Sequence, residues 1–239
     1  MVGSVEQGSS QSMSLPSFDS SSRLLIFAPH PDDESLACGT LLQNAVAAGA
    51  AVLVIYVTDG ENNPWPQRYL SRRWQLNAAD RQGWAKLRRR EALAALQVLG
   101  VSPENARFLG WPDQGLDQLL ESQPAVVLAR LRYLTLEWHP THMVGPDVRD
   151  RHRDHSAFGL MLERLFSGAE PFPERIHRWT YVVHGREAGF RRNAEALPQT
   201  DRQTEVKRLA IECHRSQLML SRRRFLGYAT RREHFLNVS

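Results

Sequence analysis

The stretch His30-Pro31-Asp32-Asp33-Glu34 packs a histidine and three carboxylates directly behind the apolar run at 24–27. Charged groups beside a core are costly unless something pairs with them. A histidine with a carboxylate is a partial zinc set that needs one further protein ligand and an open position for water. On a strand-to-helix turn, His30 and Asp33 point at one centre while Asp32 approaches it from the side. A second cluster, "HRDH" at 152–155, offers the missing ligand, because His152 and His155 are three apart at a helix start and share a face. One of the two can bind a metal while the other stands nearby, free to titrate.

These clusters need a frame that makes them meet. From Leu24 onward short apolar runs alternate with helical patterns. Strands are expected at 24–29, 51–57, 106–110, 141–145 and 178–184, and helices at 35–48, about 80–99, about 115–136, about 153–167 and about 202–218. The alternation predicts an α/β fold, a Rossmann-like three-layer sandwich with a mostly parallel sheet covered on both faces. In such sheets ligands bind beyond the carboxyl ends of the strands. The opening cluster, "TDGENN" (58–63), "GWPDQG" (110–115) and "GPDVRDRHRDH" (145–155) each follow a strand, so all four converge on one edge. The connection from Glu61 to about Asp80 is long for this fold and carries Trp65, Tyr69 and Trp74 with Arg68, Arg72 and Arg73. Those side chains either stack on a sugar ring and clamp an anion or simply pack the loop down.

The chain has 239 residues, 42% of them hydrophobic, enough for one sizeable core. A single domain is expected over 23–239. Residues 1–22, rich in Ser, Gly and Gln, read as a disordered leader or an appended segment, with Met13 a candidate natural start. Formal net charge is +4, and every basic residue except Lys86 and Lys207 is arginine. The short arginine runs read first as solvated or ion-paired helix faces, then as contacts for an anionic substrate or membrane surface. No nucleic-acid-binding motif accompanies them. Cys38 and Cys213 read as buried free thiols suited to a reducing compartment. No run is apolar enough to span a bilayer and no signal-peptide core is visible, so a soluble, cytoplasmic protein is expected.

"PHPDDE" (29–34), "TDG" (58–60), Arg88 with Glu91, "LGWPDQGL" (109–116), "HRDH" (152–155) and "KRLAIECHRSQ" (207–217) together resemble the signature blocks of the PIG-L/LmbE-like zinc-dependent N-deacetylases. The resemblance implies a hydrolase that removes an N-acyl group, most often acetyl, from a small-molecule amino sugar, glycoconjugate or glycolipid. It implies one Zn2+ per chain held by His30, Asp33 and His155. Asp32 would then be the general base, and His152 would stabilise the tetrahedral intermediate or protonate the leaving amine. Arg88 and Asp113 fall where the family has substrate-side residues; Trp65 and Tyr69 join them as substrate-binding candidates, and Asp154 is placed to orient a ring. The chemistry is coherent: the metal acidifies water and polarises the carbonyl, Asp32 takes the proton, a protonated His152 supplies the oxyanion donor, and a poor amine leaving group needs a proton. One departure is Thr40, where the family usually has a second glycine, which bears on helix packing more than on the metal set.

Other readings compete. Asp32 and Asp33 also resemble the magnesium pocket of phosphate-accepting receiver domains, which are shorter and lack the two histidines. A catalytically silent metal-binding module of the same fold would have no use for Asp32. Glu34 reads as a favourable charge at a helix N-terminus. His139, His142, His177, His184 and His234 lack partnered spacing and read as structural or surface residues, and His214 as packing or a supporting hydrogen bond.

Overall fold

A computed structural model describes residues 15–168, 171–185 and 188–239. The element order is β1 (Arg23–Ala28), α1 (Asp33–Ala47), β2 (Ala51–Thr58), α2 (Pro64–Ser71), α3 (Ala78–Val98), β3 (Ala106–Trp111), α4 (Leu116–Ser122), α5 (Pro124–Trp138), β4 (His142–Pro146), α6 (Arg153–Phe166), β5 (His177–Tyr181), α7 (Ala188–Asn193), β6 (Glu195–Ala196), α8 (Asp201–Cys213), α9 (Arg215–Leu226) and β7 (His234–Asn237). The seven strands lie in the order β3-β2-β1-β4-β5-β7-β6. β1 to β5 pair in parallel, and β7 runs antiparallel to both β5 and β6.

Strand periodicity sorts β1 between two cores. Leu24, Ile26 and Ala28 pack with α1, α3 and α8 on one face. Leu25 and Phe27 pack with α4, α5 and α6 on the other. This is the expected three-layer α/β sandwich. β1 has β2 on one side and β4 on the other, and its helix covers one face while that of β4 covers the opposite face. The crevice between the carboxyl ends of β1 and β4 is thus the topological switch point, where this architecture binds ligands.

Several boundaries differ from the sequence expectation. The helix expected at 115–136 is two helices, because Pro124 cannot donate a backbone bond and opens α5. The helix expected at 202–218 breaks at His214, whose φ −80, ψ 56 leaves the helical region. The long connection after β2 holds α2, and α3 starts as early as Ala78 behind an Asn77–Asp80 capping box. β5 ends at Tyr181, short of residue 184. The leader boundary at 22 lies too late: Leu15 and Phe18 pack against the core, whereas 1–14, Met13 among them, lie outside the described residues. No described helix is long and apolar enough to cross a membrane.

The C-terminal part of the chain locks α1. Lys207 is fully buried, and its Nζ donates to Glu233 Oε1 at 2.6 Å. The Glu233 carboxylate also accepts the backbone N–H of Thr40 (2.7 Å) and of Leu41 (3.0 Å). Gly39 lets α1 and Lys207 pack closely, since a Cβ at this position would lie 3.0 Å from Lys207 Cγ and push the lysine aside. Thr40, in place of the second family glycine, sits fully buried within an unbroken α1.

Candidate metal centre and active site

The first strand delivers Pro29 and His30 to the switch point, and the chain turns at once into α1. Asp33 Oδ2 tightens that turn by accepting the His30 N–H at 2.8 Å. Across the crevice, β4 leads to Asp147 and Asp150, and α6 begins with the 152–155 cluster. His30 Nδ1 lies 3.1 Å from His155 Nε2 and 3.4 Å from Asp33 Oδ2, and His155 Nε2 lies 3.1 Å from the same Asp33 oxygen. Ligands arranged tetrahedrally at zinc–ligand distances of ~2.0–2.1 Å are themselves about 3.3–3.4 Å apart. Two imidazole nitrogens and one carboxylate oxygen with these separations therefore fit a zinc-type ion. All three residues are buried.

The far nitrogens are engaged by acids. His30 Nε2 faces Asp113 Oδ1 and Asp154 Oδ2, each at 3.2 Å. His155 Nδ1 lies 3.3 Å from Asp150 Oδ2. Carboxylates on the outer nitrogens fix ring orientation and leave the inner nitrogens for a cation. The acids are themselves held: Asp154 accepts N–H groups from Gln114 (2.7 Å) and Leu116 (3.2 Å), and Asp150 accepts those of Val183 (2.7 Å) and His184 (3.1 Å).

The electrostatics follow from this packing. Burial alone would lower both imidazole pKa values. Against it, Asp113, Asp154 and Asp33 hold His30 well above its usual value. Asp33 and Asp150 hold His155 at about 9. Burial would raise Asp33, but His155 and His30 keep its carboxyl well below the usual range.

Asp32 stands apart from this donor set. Its Oδ2 pairs with Arg88 Nη2 at 3.1 Å. Burial raises its pKa, with Arg88 pulling the other way and Asp33 adding to the rise. Arg88 also donates to the carbonyls of Gly60 and Pro31, both at 3.1 Å. Gly60 makes room for this: it has φ +62, and a Cβ would lie 1.6 Å from the Arg88 Nη1. Arg88, expected from the sequence to face substrate, is instead 3% exposed and aimed at Asp32 and these two carbonyls. Asp113, expected in the same role, is likewise turned inward, onto His30 and the Asn62 N–H (2.7 Å). Asp154 Oδ2 lies against the His30 ring, 3.2 Å from Nε2.

His152 caps α6. Its Nδ1 accepts the Asp154 N–H at 3.3 Å, so in the neutral ring the proton is assigned to Nε2. Burial lowers its pKa, as do His30 and His155. These effects favour the neutral ring.

Sequence reasoning missed two residues. His184, set aside for lack of spacing, brings its ring within 5.2 Å of His152 and 5.0 Å of His155. Burial lowers its pKa to about 4, with His155 adding to the effect. It belongs, with Asp33 and His155, to one of three overlapping donor groups whose atoms lie within 4.8 Å. Its only signal was its place at the end of β5, next to β4. Asp150 was hidden among several acids of its loop. Glu34 does more than favour a helix terminus: it is fully buried and its Oε1 lies 2.9 Å from His214 Nε2. Trp65 and Tyr69 are not brought to the donor set; they stand exposed on α2.

Residues 25–166 match the family model described as PIG-L, GlcNAc-PI de-N-acetylase. The 1D-myo-inositol 2-acetamido-2-deoxy-alpha-D-glucopyranoside deacetylase of Mycolicibacterium vanbaalenii is 39% identical over 104 residues, 40% of this chain and 33% of that protein. The matched region thus spans a third of that relative's length. The enzyme of the same description from Thermobispora bispora is 29% identical over 224 residues, covering 82% of this chain and 71% of that one. Among solved structures, N,N'-diacetylchitobiose deacetylase from Pyrococcus horikoshii superposes with a TM-score of 0.69 at 20% identity, over 90% of this chain and 83% of that one. At that identity the superposition establishes a shared fold.

Proposed function

The chain belongs to the PIG-L family of GlcNAc-PI de-N-acetylases, and from that membership we propose that it hydrolyses the N-acetyl group of an amino sugar, glycoconjugate or glycolipid. The observation that carries the reading is the triangle of His30, Asp33 and His155 donors, with Asp32 held beside it and outside it by Arg88. His30, Asp33 and His155 would hold a single zinc ion. Bound there, zinc supplies a Lewis acid that polarises an acyl carbonyl and raises the acidity of water.

The chain's own groups do the rest. Asp32 is the general base: burial makes its carboxylate a better proton acceptor, and Arg88 keeps one of its oxygens oriented. The Nε2–H of His152 is the donor for charge developing on the acyl oxygen, and it needs no prior protonation. The proton taken up by Asp32 is the one available to the departing amine. Asp113, Asp154 and Asp150 hold the two ligand imidazoles in register. We place the reaction in the cytoplasm, where Cys38 and Cys213 stay as the free thiols they are.

The test pairs metal analysis with acetate release from N-acetyl amino sugars and their conjugates. One divalent ion per chain, with acetate release abolished in Asp32→Asn, supports the reading. A protein that binds no added zinc, or that retains turnover without Asp32, overturns it.

A further inference from the structure

The most exposed aromatic side chains of the described residues stand together, away from the donor set. Trp65 is 61% exposed, Tyr69 66% and Trp74 78%, with Leu70 and Leu220 exposed beside them. Large apolar groups clustered in water mark an interaction surface. Trp65, Tyr69, Trp74 and Leu220 line a cleft of about 340 Å³ between α2 and α9, shared with Arg68 and Arg72. The Arg68 guanidinium lies 5.2 Å from the Trp65 ring and 6.0 Å from the Trp74 ring, and its Nε donates to the Trp74 carbonyl at 3.0 Å. This fixes the two indoles in their exposed positions.

The charged side chains that line the cleft are all arginines. Arg72, Arg223 and Arg224 make no ion pair among the described residues, and Arg73 reaches Asp80 only at 3.4 Å. The run 222–224 follows Leu220 on α9 beyond a kink at Ser221 (φ −144, ψ 30). A second copy of this chain would bring two arginine clusters face to face, and that like-charge contact disfavours self-association through this patch. A saccharide needs partners that accept as well as donate hydrogen bonds for its hydroxyls. The cleft lining carries no carboxylate and no side-chain amide, and the Tyr69 hydroxyl is its one side-chain acceptor. Apolar bulk edged with arginine, and rich in Trp and Tyr, is instead the composition of a surface that seats in a lipid headgroup layer.

We propose that α2, the turn to Trp74 and the start of the arginine run on α9 form an interfacial docking patch for an anionic lipid surface. Trp65, Trp74, Tyr69 and Leu220 enter the headgroup region while Arg72, Arg223 and Arg224 face anionic headgroups. The patch is tied to the crevice. Immediately before α2, the Asn62 N–H donates to Asp113 and Asn63 Nδ2 donates to Gln217 at 3.2 Å.

The experiment is co-sedimentation of the full chain with sucrose-loaded vesicles, of phosphatidylcholine alone and of phosphatidylcholine mixed with phosphatidylglycerol. It reads binding without turnover, so its outcome is independent of the deacetylase reading. Binding should be at least about tenfold tighter on the anionic vesicles and should weaken with salt. Trp65→Ala with Trp74→Ala should weaken it about tenfold, as should Arg72→Glu, with helicity and metal content unchanged. Arg202→Glu, on the exposed start of α8, should leave it unaltered. Absence of binding to anionic vesicles overturns the proposal. So does binding that the Trp variants leave intact, or that Arg202→Glu weakens equally. If a soluble acidic oligosaccharide quenches the Trp65 and Trp74 fluorescence and displaces the vesicles, the patch is a saccharide site and the proposal falls.

Discussion

Arg88 Nη2 lies 3.1 Å from Asp32 Oδ2, inside a site where both side chains are all but closed to water. Removing one partner of a buried ion pair leaves an uncompensated charge, at a cost of about 3–5 kcal/mol. Arg88→Ala should therefore lower the thermal midpoint and cut turnover ~100-fold or more, since the base loses its orientation. Its metal content should stay at the wild-type level. Wild-type turnover in Arg88→Ala would remove Arg88 from any role toward Asp32.

Gly60 makes a sharper version of the same test. Its positive φ and the 1.6 Å approach of Arg88 leave no space for a methyl group. Gly60→Ala should cost more than ~1 kcal/mol in chemical denaturation, through left-handed strain and displacement of the guanidinium. The loss of turnover should follow that of Arg88→Ala. A stable, active Gly60→Ala would show that the guanidinium can move without consequence.

The ligands and the base should separate by metal content. Asp32→Asn should keep the ion and lose nearly all hydrolysis. Asp33→Ala and His155→Ala should lose the ion as well. Asp150→Asn, which leaves every metal donor in place, should weaken metal affinity ~10–100-fold through His155, measured by competition with a chelator. Equal metal loss in Asp32→Asn would place Asp32 among the ligands.

Metal uptake should release protons. In the metal-free protein the surrounding carboxylates hold His30 well above its usual pKa and His155 at about 9, and because His30 Nδ1 and His155 Nε2 face each other at 3.1 Å, one proton lies between them. A cation must displace that proton, on the order of one per ion, and its affinity should rise as pH rises toward 9. Calorimetric titration in two buffers of different ionisation enthalpy counts it directly. Uptake without proton release would mean that the rings are already neutral.

Much of this site was legible in the sequence. The apolar runs of β1 and β4 are unambiguous, and parallel topology alone sends His30, Asp33 and His155 to one crevice. What local pattern cannot convey is which way a long side chain turns. Arg88 and Asp113 have polar tips and stand near the crevice, yet both turn inward, because Asp32 and His30 offer them buried partners. His184 sits 29 residues beyond His155 with no motif of its own, and only the pairing of β5 with β4 brings it in. The break at His214 was equally hidden, since the side chain there meets Glu34, 180 positions away.

The lock that Glu233 places on α1 has a consequence for biosynthesis. A chain leaving the ribosome has exposed His30, Asp33 and His155 once residue 155 emerges. The helix that carries Asp33 stays unclamped until Lys207 and Glu233 have followed. Assembly of the centre therefore waits on residues 207 and 233, made well after its ligands. A nascent or prematurely terminated chain would offer its imidazoles to passing cations without the geometry to select among them.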